Sequence, residues 1–552
     1  MEMMNSGMAV MGISARRNAI GVRNFPDISL LRFSSASFAS SALSAVLALS
    51  CISPAAAQTP EEWYGNGRAA VEKARLEKPI EGRAKNVILF LGDGMGIATV
   101  TAARILEGQQ RGLSGEDNQL AFERLPYVAL SKTYSANQQT SDSAPTMSAI
   151  VSGIKTNDGL ISVNSRVARE DFRAAAANAT RTILERAEER GMATGVVTTA
   201  RLTHATPAAC YAHSPDRDWE ADSDQSAAAN AAKFPDIARQ LIEFPLGDGL
   251  EVAFGGGRTK FLPKTVKDPE YADKAGERSD GRDLAAEWVK RRAGSVYVWN
   301  RAQFDALDPK QVKHALGLFE PSHMRFEHDR LKDAAGEPSL DEMTGKALDI
   351  LARNPKGYFL MVEGGRIDHG HHAGNAYRAL TDTIAFARAV ETAMRRTDPR
   401  DTLIIVTADH SHTLHIAGYP KRGNPILGKV VEAGHADGDY AHDGLGLPYT
   451  TLGYANGPGY PGESGSQPAG PKKYPHPGTG SRAVRSGRPD LSDIDTTAPD
   501  YMQESAMPMP SETHGGEDVA IYARGPQAHL VRGVMEQNVI YHVMAEALGM
   551  RD

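Results

Sequence analysis

The densest chemistry in the sequence lies in two short segments rich in aspartate, glutamate and histidine. Residues 363–372 read EGGRIDHGHH and follow the apolar run Tyr358–Val362, and residues 407–412 read TADHSH and follow Leu403–Val406. Carboxylates and imidazoles at this density are costly in a protein interior unless a cation neutralises the acids and orders the rings. An exposed histidine-rich surface is the alternative for each segment alone, but two such segments directly after apolar runs favour a metal site.

Four residues outside these segments could complete such a site. Asp93 in LGDGMG is a carboxylate flanked by glycines, which would let it approach a metal ion closely. The alternative is a plain turn at the end of a strand. Ser143 in TSDSAPT stands near a predicted helix start, where backbone N–H groups favour binding of phosphate. The alternative is that the segment is a simple N-cap of the helix. Arg201 follows an apolar run and could fork onto phosphate oxygens, or form a structural ion pair. His514 in ETHGG precedes another apolar run.

These residue types together suit phosphoryl transfer. Mixed aspartate and histidine ligands suit Zn²⁺, whereas a glutamate, an aspartate and a threonine hydroxyl suit Mg²⁺. Two metal ions about 4 Å apart stabilise both the attacking and the leaving oxygen of an in-line displacement. A serine beside them is activated without a histidine base.

Buried strands and amphipathic helices must position these side chains. Short apolar runs suit strands that are buried on both faces: Val87–Leu91, Gly195–Thr199, Tyr358–Val362, Leu403–Thr407 and Val519–Ala523. One predicted helix carries Leu380, Ile384, Ala387 and Met394 on one face, and Ala174–Arg190 is predicted as another. Alternating strands and helices predict an α/β fold with helices on both faces of the sheet, and polar motifs at the carboxyl ends of the strands.

Residues 421–510 depart from this pattern because they are rich in glycine, proline and serine. A structureless loop of this length is uncommon in a compact domain. The alternatives are partial disorder and a surface insertion with sparse structure. We favour the insertion, because the predicted strand Val519–Ala523 follows it.

Composition and the N-terminus indicate an exported globular protein. The 552 residues are 41% hydrophobic and 23% charged, and the net charge of −7 gives no basic footprint for nucleic acid. Residues 1–57 read as a signal peptide, with arginines first, then a short apolar stretch, then three alanines before Gln58. A membrane anchor is the alternative, but the apolar run is short. We expect cleavage after Ala57, a periplasmic or secreted protein, and no transmembrane segment in the mature chain. Cys210 is then its single cysteine, so no internal disulfide is expected.

Taken together, the motifs resemble those of the alkaline phosphatase family over nearly all of residues 58–552. Residues 297–301, 317–321 and 523–531 look typical of the family as well. His204 and His369 stand where some bacterial members have Asp and Lys, which resembles the animal branch. The resemblance implies a three-layer α/β/α sandwich with a large, mostly parallel central sheet, a crown-like insertion at about 421–510, and a homodimer. It also implies hydrolysis of small phosphate monoesters through a phosphoserine formed on Ser143.

The resemblance also implies two zinc ions and one magnesium ion per chain. The assignments are Asp368, His372 and His514 for the first zinc; Asp93, Asp409 and His410 for the second, beside Ser143; Asp93, Thr206 and Glu363 for magnesium; Arg201 as the clamp on the phosphate; and His204, acting through the water shell of magnesium, with His369 in the same outer layer. Animal relatives carry a fourth, calcium site, which aligns with Phe319, Glu320 and Glu337. Ala232 aligns with the remaining glutamate ligand, so weak or absent calcium binding is expected.

Two rival functions stay open at this stage. A phosphodiesterase of the same superfamily ranks lower, because Arg201 and the magnesium ligands favour a dianionic monoester. A non-catalytic exported protein that binds phosphate or metal is the second rival, and Ser143 in its Asp-Ser-Ala context argues against it.

Overall fold

The computed structural model describes residues 59–476 and 487–550. The predicted signal peptide and its cleavage site lie outside these residues. The strands are β1 Asn86–Gly92, β2 Tyr127–Lys132, β3 Ala193–Arg201, β4 Val252–Gly256, β5 Ser295–Val298, β6 His314–Leu318, β7 Tyr358–Gly364, β8 Thr402–Ala408, β9 Ser411–His412, β10 Leu414–Ile416, β11 Leu452–Gly457, β12 Ser505–Pro508, β13 His514–Gly515, β14 Val519–Arg524 and β15 Gly533–Glu536.

Helices occupy the connections between the strands. They are α1 Pro60–Leu76, α2 Ile97–Gln110, α3 Ser143–Ser152, α4 Phe172–Ala175, α5 Ile183–Glu189, α6 Ala205–Tyr211, α7 Ala227–Ala231, α8 Ile237–Ile242, α9 Arg258–Phe261, α10 Leu284–Arg291, α11 Arg301–Asp305, α12 Glu327–Arg330, α13 Leu340–Leu351, α14 Arg366–His372, α15 Ala376–Arg396 and α16 Val539–Ala547. Among the described residues, none of these helices has the length and apolar character needed to span a bilayer.

A ten-stranded sheet forms the centre of the fold, in the order β15-β2-β14-β8-β1-β7-β3-β4-β6-β5. From β8 to β5 every neighbouring pair is parallel, whereas β14 runs antiparallel to both β8 and β2. The five apolar runs identified in the sequence are the strands β1, β3, β7, β8 and β14. The predicted large, mostly parallel sheet is therefore confirmed.

The side chains of β1 alternate between two hydrophobic cores, which shows why the sheet needs helices on both faces. Val87, Leu89 and Leu91 pack in one core with residues of α3, α5, α6, α8, α10 and α16. Ile88 and Phe90 pack in the other core with residues of α2, α13 and α15. Each fully buried side chain of this size contributes about 1.5–3 kcal/mol, so both faces require cover. This arrangement confirms the three-layer α/β/α architecture.

The prediction of one helix over Ala174–Arg190 is wrong, because the segment contains a break. Helix α4 ends at Ala175, a 3-10 turn follows, and α5 begins only at Ile183. Thr182 caps α5 by accepting a hydrogen bond from the Glu185 N–H, while the Glu185 side chain accepts one from the Thr182 N–H. This capping box starts a new helix within the alanine-rich pattern.

The glycine- and proline-rich stretch 421–510 holds sparse regular structure in its described part. Strands β11 and β12 from this stretch join β10 in a small three-stranded sheet. Elsewhere backbone bridges such as Pro420–Glu432 and Lys429–Thr450 tie the loops together. In its described part, Ile426, Leu427, Leu452 and Tyr454 pack in the same hydrophobic core as Ile88 and Phe90 of β1.

Candidate metal centre and active site

The predicted ligands gather at the carboxyl ends of four neighbouring central strands. Asp93 follows β1, Asp409 follows β8, and Glu363 lies in β7. Asp368 lies on α14 directly after β7, and Thr206 lies on α6 after β3. Since β8, β1, β7 and β3 are adjacent in the sheet, segments more than 300 residues apart in sequence meet at one edge, as the sequence predicted.

Gly94 permits the tight turn that follows Asp93. Its φ is +66°, a left-handed conformation that favours glycine. A Cβ atom at this position would stand 2.3 Å from Cδ2 of His412. The Gly94 N–H also donates to Oδ1 of Asp409 over 3.1 Å, which ties the turn after β1 to the end of β8.

The first group of predicted ligands consists of Asp368, His372 and His514. Asp368 Oδ1 lies 3.3 Å from His372 Nε2 and 3.4 Å from His514 Nε2, and the two imidazole nitrogens are 3.2 Å apart. Four ligands about 2.0–2.1 Å from one zinc ion, at tetrahedral corners, lie roughly 3.3 Å from one another. The other ring nitrogens bind backbone carbonyls, His372 Nδ1 that of Glu512 and His514 Nδ1 that of Ser141. These contacts leave each Nε2 facing the group.

The second group consists of Asp93, Asp409 and His410, with Ser143 beside them. His410 Nε2 lies 3.4 Å from both Asp93 Oδ1 and Asp409 Oδ2. Ser143 Oγ lies 3.2 Å from His410 Nε2 and 3.3 Å from Asp93 Oδ1. Ser143 is the first residue of α3, and Asp142 caps that helix by accepting from the Ala144 N–H over 2.6 Å. The serine thus stands at a helix N-terminus, as predicted, beside the side-chain atoms of Asp93 and His410.

The third group is marked by buried polar atoms that make no hydrogen bond within the described chain. They are Oδ2 of Asp93, Oγ1 of Thr206, Oε1 of Glu363 and Nδ1 of His204. Ligand atoms of Asp93, His204 and Glu363 lie within 4.8 Å of one another. Buried polar groups are nearly always satisfied, so this set fits a cation with a partial water shell.

Electrostatics point to the same conclusion. Burial, together with neighbouring Asp409, raises the pKa of Asp93 well above its ordinary value, and burial raises the pKa of Glu363 to about 8. Burial would also raise the pKa of Asp368, but His372 and the other surrounding histidines hold it well below the ordinary range. Several carboxylates in one dry site ionise together only when cations offset their repulsion.

Comparison with known proteins identifies the family. The family model described as Alkaline phosphatase matches residues 84–550. The chain belongs to the alkaline phosphatase family. It is 43% identical to the tissue-nonspecific alkaline phosphatase of Gallus gallus, covering 92% of each chain. It is also 43% identical to the alkaline phosphatase of Gadus morhua, covering 88% of this chain and 97% of that one.

Solved structures agree with this assignment. Thermus thermophilus alkaline phosphatase matches with a TM-score of 0.59 at 25% identity, covering 90% of this chain and 96% of that one. The enzyme of the Antarctic bacterium TAB5 shares the fold, with a TM-score of 0.54 at 20% identity, covering 86% and 100% of the respective chains. This protein is therefore an α/β enzyme of the alkaline phosphatase family.

In this alkaline phosphatase the predicted phosphate clamp, Arg201, faces another partner. Its Nε donates to Oε2 of Glu220 over 2.7 Å, its NH2 group binds the other carboxylate oxygen, and NH1 contacts His323. The side chain of Glu220 is 8% exposed, so the guanidinium group of Arg201 forms a buried ion pair. The structure argues against Arg201 as the clamp and favours the structural role considered in the sequence analysis.

Arg217, which the sequence analysis did not single out, lies next to the residue that precedes Ser143. Its NH1 group is 3.5 Å from Oδ1 of Asp142, the residue next to Ser143. Its NH2 group donates to Nε2 of His204 over 3.0 Å. The sequence Asp216-Arg217-Asp218 reads as an ordinary charged turn, so only its position in the fold identifies it.

His412 is a second residue without an assigned role in the sequence analysis. Its Nε2 lies 2.7 Å from Oδ1 of Asp368 and its Nδ1 lies 2.5 Å from Oε2 of Glu512. Burial opposes a charge on this ring, but Glu512 and Asp368 outweigh it and raise the pKa of His412 to about 10. His412 therefore orients Asp368, in the manner of an outer partner of a metal ligand.

His204 and His369 lie together beside the third group. Their ring centroids are 5.6 Å apart, and the ring of His323 lies 4.1 Å from that of His369 at a tilt of 55°. Burial lowers the pKa of all three rings well below the ordinary value, and neighbouring arginines lower it further. A neutral imidazole has one N–H and one acceptor nitrogen. Because Nε2 of His204 accepts from Arg217, its unpartnered Nδ1 carries the N–H and would donate to a water molecule of the ion's shell.

Proposed function

We propose that this alkaline phosphatase hydrolyses small phosphate monoesters through a phosphoserine on Ser143. The observation that carries the proposal is the position of Ser143 Oγ, 3.2–3.3 Å from His410 Nε2 and Asp93 Oδ1, at a helix N-terminus. A nucleophile there meets the phosphorus while backbone N–H groups and a guanidinium bind the remaining phosphate oxygens.

The chain's own residues account for the two steps. Ser143 Oγ forms a bond to phosphorus as the bond to the ester oxygen breaks, and the alcohol leaves with one proton. Water then cleaves the phosphoserine, which releases inorganic phosphate and restores the hydroxyl. Arg217 would hold two non-bridging oxygens throughout, because its guanidinium fork matches their geometry.

The residues fit two zinc ions and one magnesium ion per chain. Zinc would be held by Asp368, His372 and His514 in one site and by Asp93, Asp409 and His410 in the other; magnesium would be held by Asp93, Thr206 and Glu363, with His204 and His369 next to its water shell. When bound, these ions would supply Lewis-acid stabilisation of the charge that develops on the phosphate oxygens.

A hydrolysis assay on a chromogenic monoester and its matching diester tests the proposal. We expect preference for the monoester, loss of activity on exhaustive chelation, and recovery with zinc and magnesium. Faster hydrolysis of the diester would indicate the phosphodiesterase alternative. Binding of phosphate without turnover in metal-loaded protein would indicate the non-catalytic alternative.

We further propose that the enzyme is an exported homodimer. The exposed apolar side chains of α1 support the dimer, since this helix buries none of its residues within the chain. Trp63, Tyr64, Val71 and Leu76 are each more than half exposed. Light scattering tests the dimer, and a monomer at micromolar concentration would contradict it. N-terminal sequencing of protein from the periplasm or medium tests cleavage before Gln58.

A further inference from the structure

A second arginine, Arg169, holds the turn that carries Arg217. It binds Asp216 through two parallel hydrogen bonds, from Nε to Oδ2 and from NH2 to Oδ1, each 3.0 Å long. Its NH2 group also donates to Oδ2 of Asp218 over 2.9 Å. One guanidinium group therefore binds the side chains on both sides of Arg217.

The pair of Arg169 with Asp216 fixes the backbone of this turn. The side chain of Asp216 is 7% exposed, although that of Arg169 is 41% exposed. Oδ1 of Asp216 also accepts a hydrogen bond from the Asp218 N–H over 2.9 Å. Exposed ion pairs usually contribute little to stability, but a bidentate arginine–carboxylate pair has a defined geometry. The orientation of the turn thus depends on Arg169.

The loop that contains Arg169 binds the backbone of the same turn. The Arg217 N–H donates to the Gly159 carbonyl over 2.8 Å, and the Glu170 N–H donates to the Pro215 carbonyl over 3.0 Å. Gly159 has a φ of +70°, and a Cβ atom there would stand 2.8 Å from Cζ of Arg169. Glycine therefore permits the close approach of the guanidinium group.

Gly159 also connects this loop to the helix that carries Ser143. Its N–H donates to Oδ2 of Asp142 over 3.2 Å, while Oδ1 of Asp142 accepts the Ala144 N–H at the start of α3. Gly159 thus binds Asp142 with its N–H and Arg217 with its carbonyl. The separation between Ser143 and the Arg217 backbone is set through this one residue.

Charge gives Arg169 a second effect on Arg217. Burial would lower the pKa of Arg217, but the attraction of Asp142 and Asp218 outweighs burial and raises it. Without Arg169, the carboxylates of Asp216 and Asp218 would be uncompensated on both sides of the guanidinium group and would compete with phosphate for it. Arg169 offsets their charge.

We propose that Arg169 is a positioning residue for phosphate binding, which holds Arg217 in place relative to Ser143 and neutralises the acids beside it. This inference rests on the proposed role of Arg217 as the phosphate clamp. A bound group must be held in a narrow range of positions for reaction, so a residue that does not touch the substrate can still control the rate.

Calorimetric titration of the metal-loaded enzyme with inorganic phosphate tests this inference, together with kcat/KM for a chromogenic monoester. We expect Arg169→Ala to weaken phosphate binding and to lower kcat/KM by roughly tenfold each, because a misplacement of about 1 Å can cost up to about a hundredfold. Zinc and magnesium content should stay the same. Calorimetry requires no turnover, so it decides the inference even if monoesters are not hydrolysed.

A double-mutant cycle separates positioning from a general structural effect. In the Arg217→Ala background, Arg169→Ala should change phosphate binding by less than about twofold, because the group that Arg169 positions is already absent. Arg166→Ala is the matched control, since Arg166 is exposed in the same loop, and it should bind phosphate like the wild type.

Arg169→Lys tests the geometry of the pair and gives the same comparison if Arg169→Ala fails to fold. Lysine keeps the positive charge beside Asp216 but cannot bind both carboxylate oxygens in the same way. We therefore expect the variant to fold and still to bind phosphate at least about threefold more weakly than the wild type.

Two results would overturn the inference. One is wild-type phosphate affinity in both Arg169→Ala and Arg169→Lys, and the other is an equal loss with and without Arg217. Arg217→Ala alone distinguishes this failure from that of the proposed clamp. If it binds phosphate as tightly as the wild type, the clamp and its positioning are both wrong. If it loses affinity while the Arg169 variants do not, only the positioning is wrong.

Discussion

Replacing Arg217 and Arg201 separately distinguishes the phosphate clamp from the structural ion pair. Hydrogen bonds to charged groups contribute about 1.5–3 kcal/mol each. If Arg217 binds the phosphate with two N–H groups, Arg217→Ala should cost roughly 3–6 kcal/mol of transition-state stabilisation. Every 1.4 kcal/mol is about tenfold, so kcat/KM should fall by about 10²–10⁴, while Tm changes little.

Arg201→Ala should show the opposite pattern. It leaves Glu220 buried, with the Thr203 hydroxyl as its remaining neutral partner. An orphaned buried carboxylate costs about 3–5 kcal/mol of folding stability. We therefore expect a much lower Tm and nearly normal kcat/KM in the fraction that folds. The double variant Arg201→Met with Glu220→Gln removes the orphaned charge and should regain stability.

The assays are steady-state hydrolysis of a chromogenic monoester, product inhibition by inorganic phosphate, and thermal unfolding. Arg217→Ala should also weaken inhibition by phosphate, since phosphate uses the same guanidinium. The reassignment would be refuted if folded Arg201→Ala lost a hundredfold or more in kcat/KM while Arg217→Ala stayed within threefold of the wild type.

Three further predictions follow from the same structure. Ser143→Ala should remove most turnover and abolish acid-stable labelling of the protein by phosphate, and undiminished labelling would exclude this nucleophile. His412→Ala should lower zinc content more than His371→Ala, measured by metal analysis after dialysis, because only His412 contacts Asp368 directly; equal losses would contradict that role. Burial raises the pKa of Glu251 from an ordinary value of 4.5 to about 9. The folded state is stabilised by keeping Glu251 protonated; this stabilisation is complete below pH 4.5 and is lost as the pH rises through 9. Glu251→Gln, which stays neutral, should therefore raise Tm at pH 9 but not at pH 4.5.

The sequence predicted the framework well because its strongest signals are local. The apolar runs that became β1, β7 and β8 end directly at Asp93, Asp368 and Asp409 or a few residues before them. Parallel strands then bring their carboxyl ends together without any further information. The ligand groups were predictable for the same reason, together with the family resemblance.

The errors concern residues whose partners are distant or whose local signals compete. Arg201 is the last residue of β3 and Arg217 follows α6, and the ion pair of Arg201 with the distant Glu220 is what distinguishes the two guanidinium groups. The predicted helix 174–190 breaks because the Thr182 capping box outweighs the helix propensity of its alanines.

The pairing of β9 with β13 joins the two ends of a long excursion of the chain, which includes the stretch 421–510. His412 is the ladder partner of His514, so the chain leaves the site and returns to it at a single point about one hundred residues later. The two-residue ladder between β9 and β13 fixes the ends of this excursion and also holds His412 and His514 in the site. Because lengthening a loop costs only about 0.6 kcal/mol per doubling, insertions in exposed loops of this excursion, such as residues 433–439, can accumulate without moving the predicted ligands. Evolution can therefore reshape the outer surface of this enzyme while its chemistry stays constant.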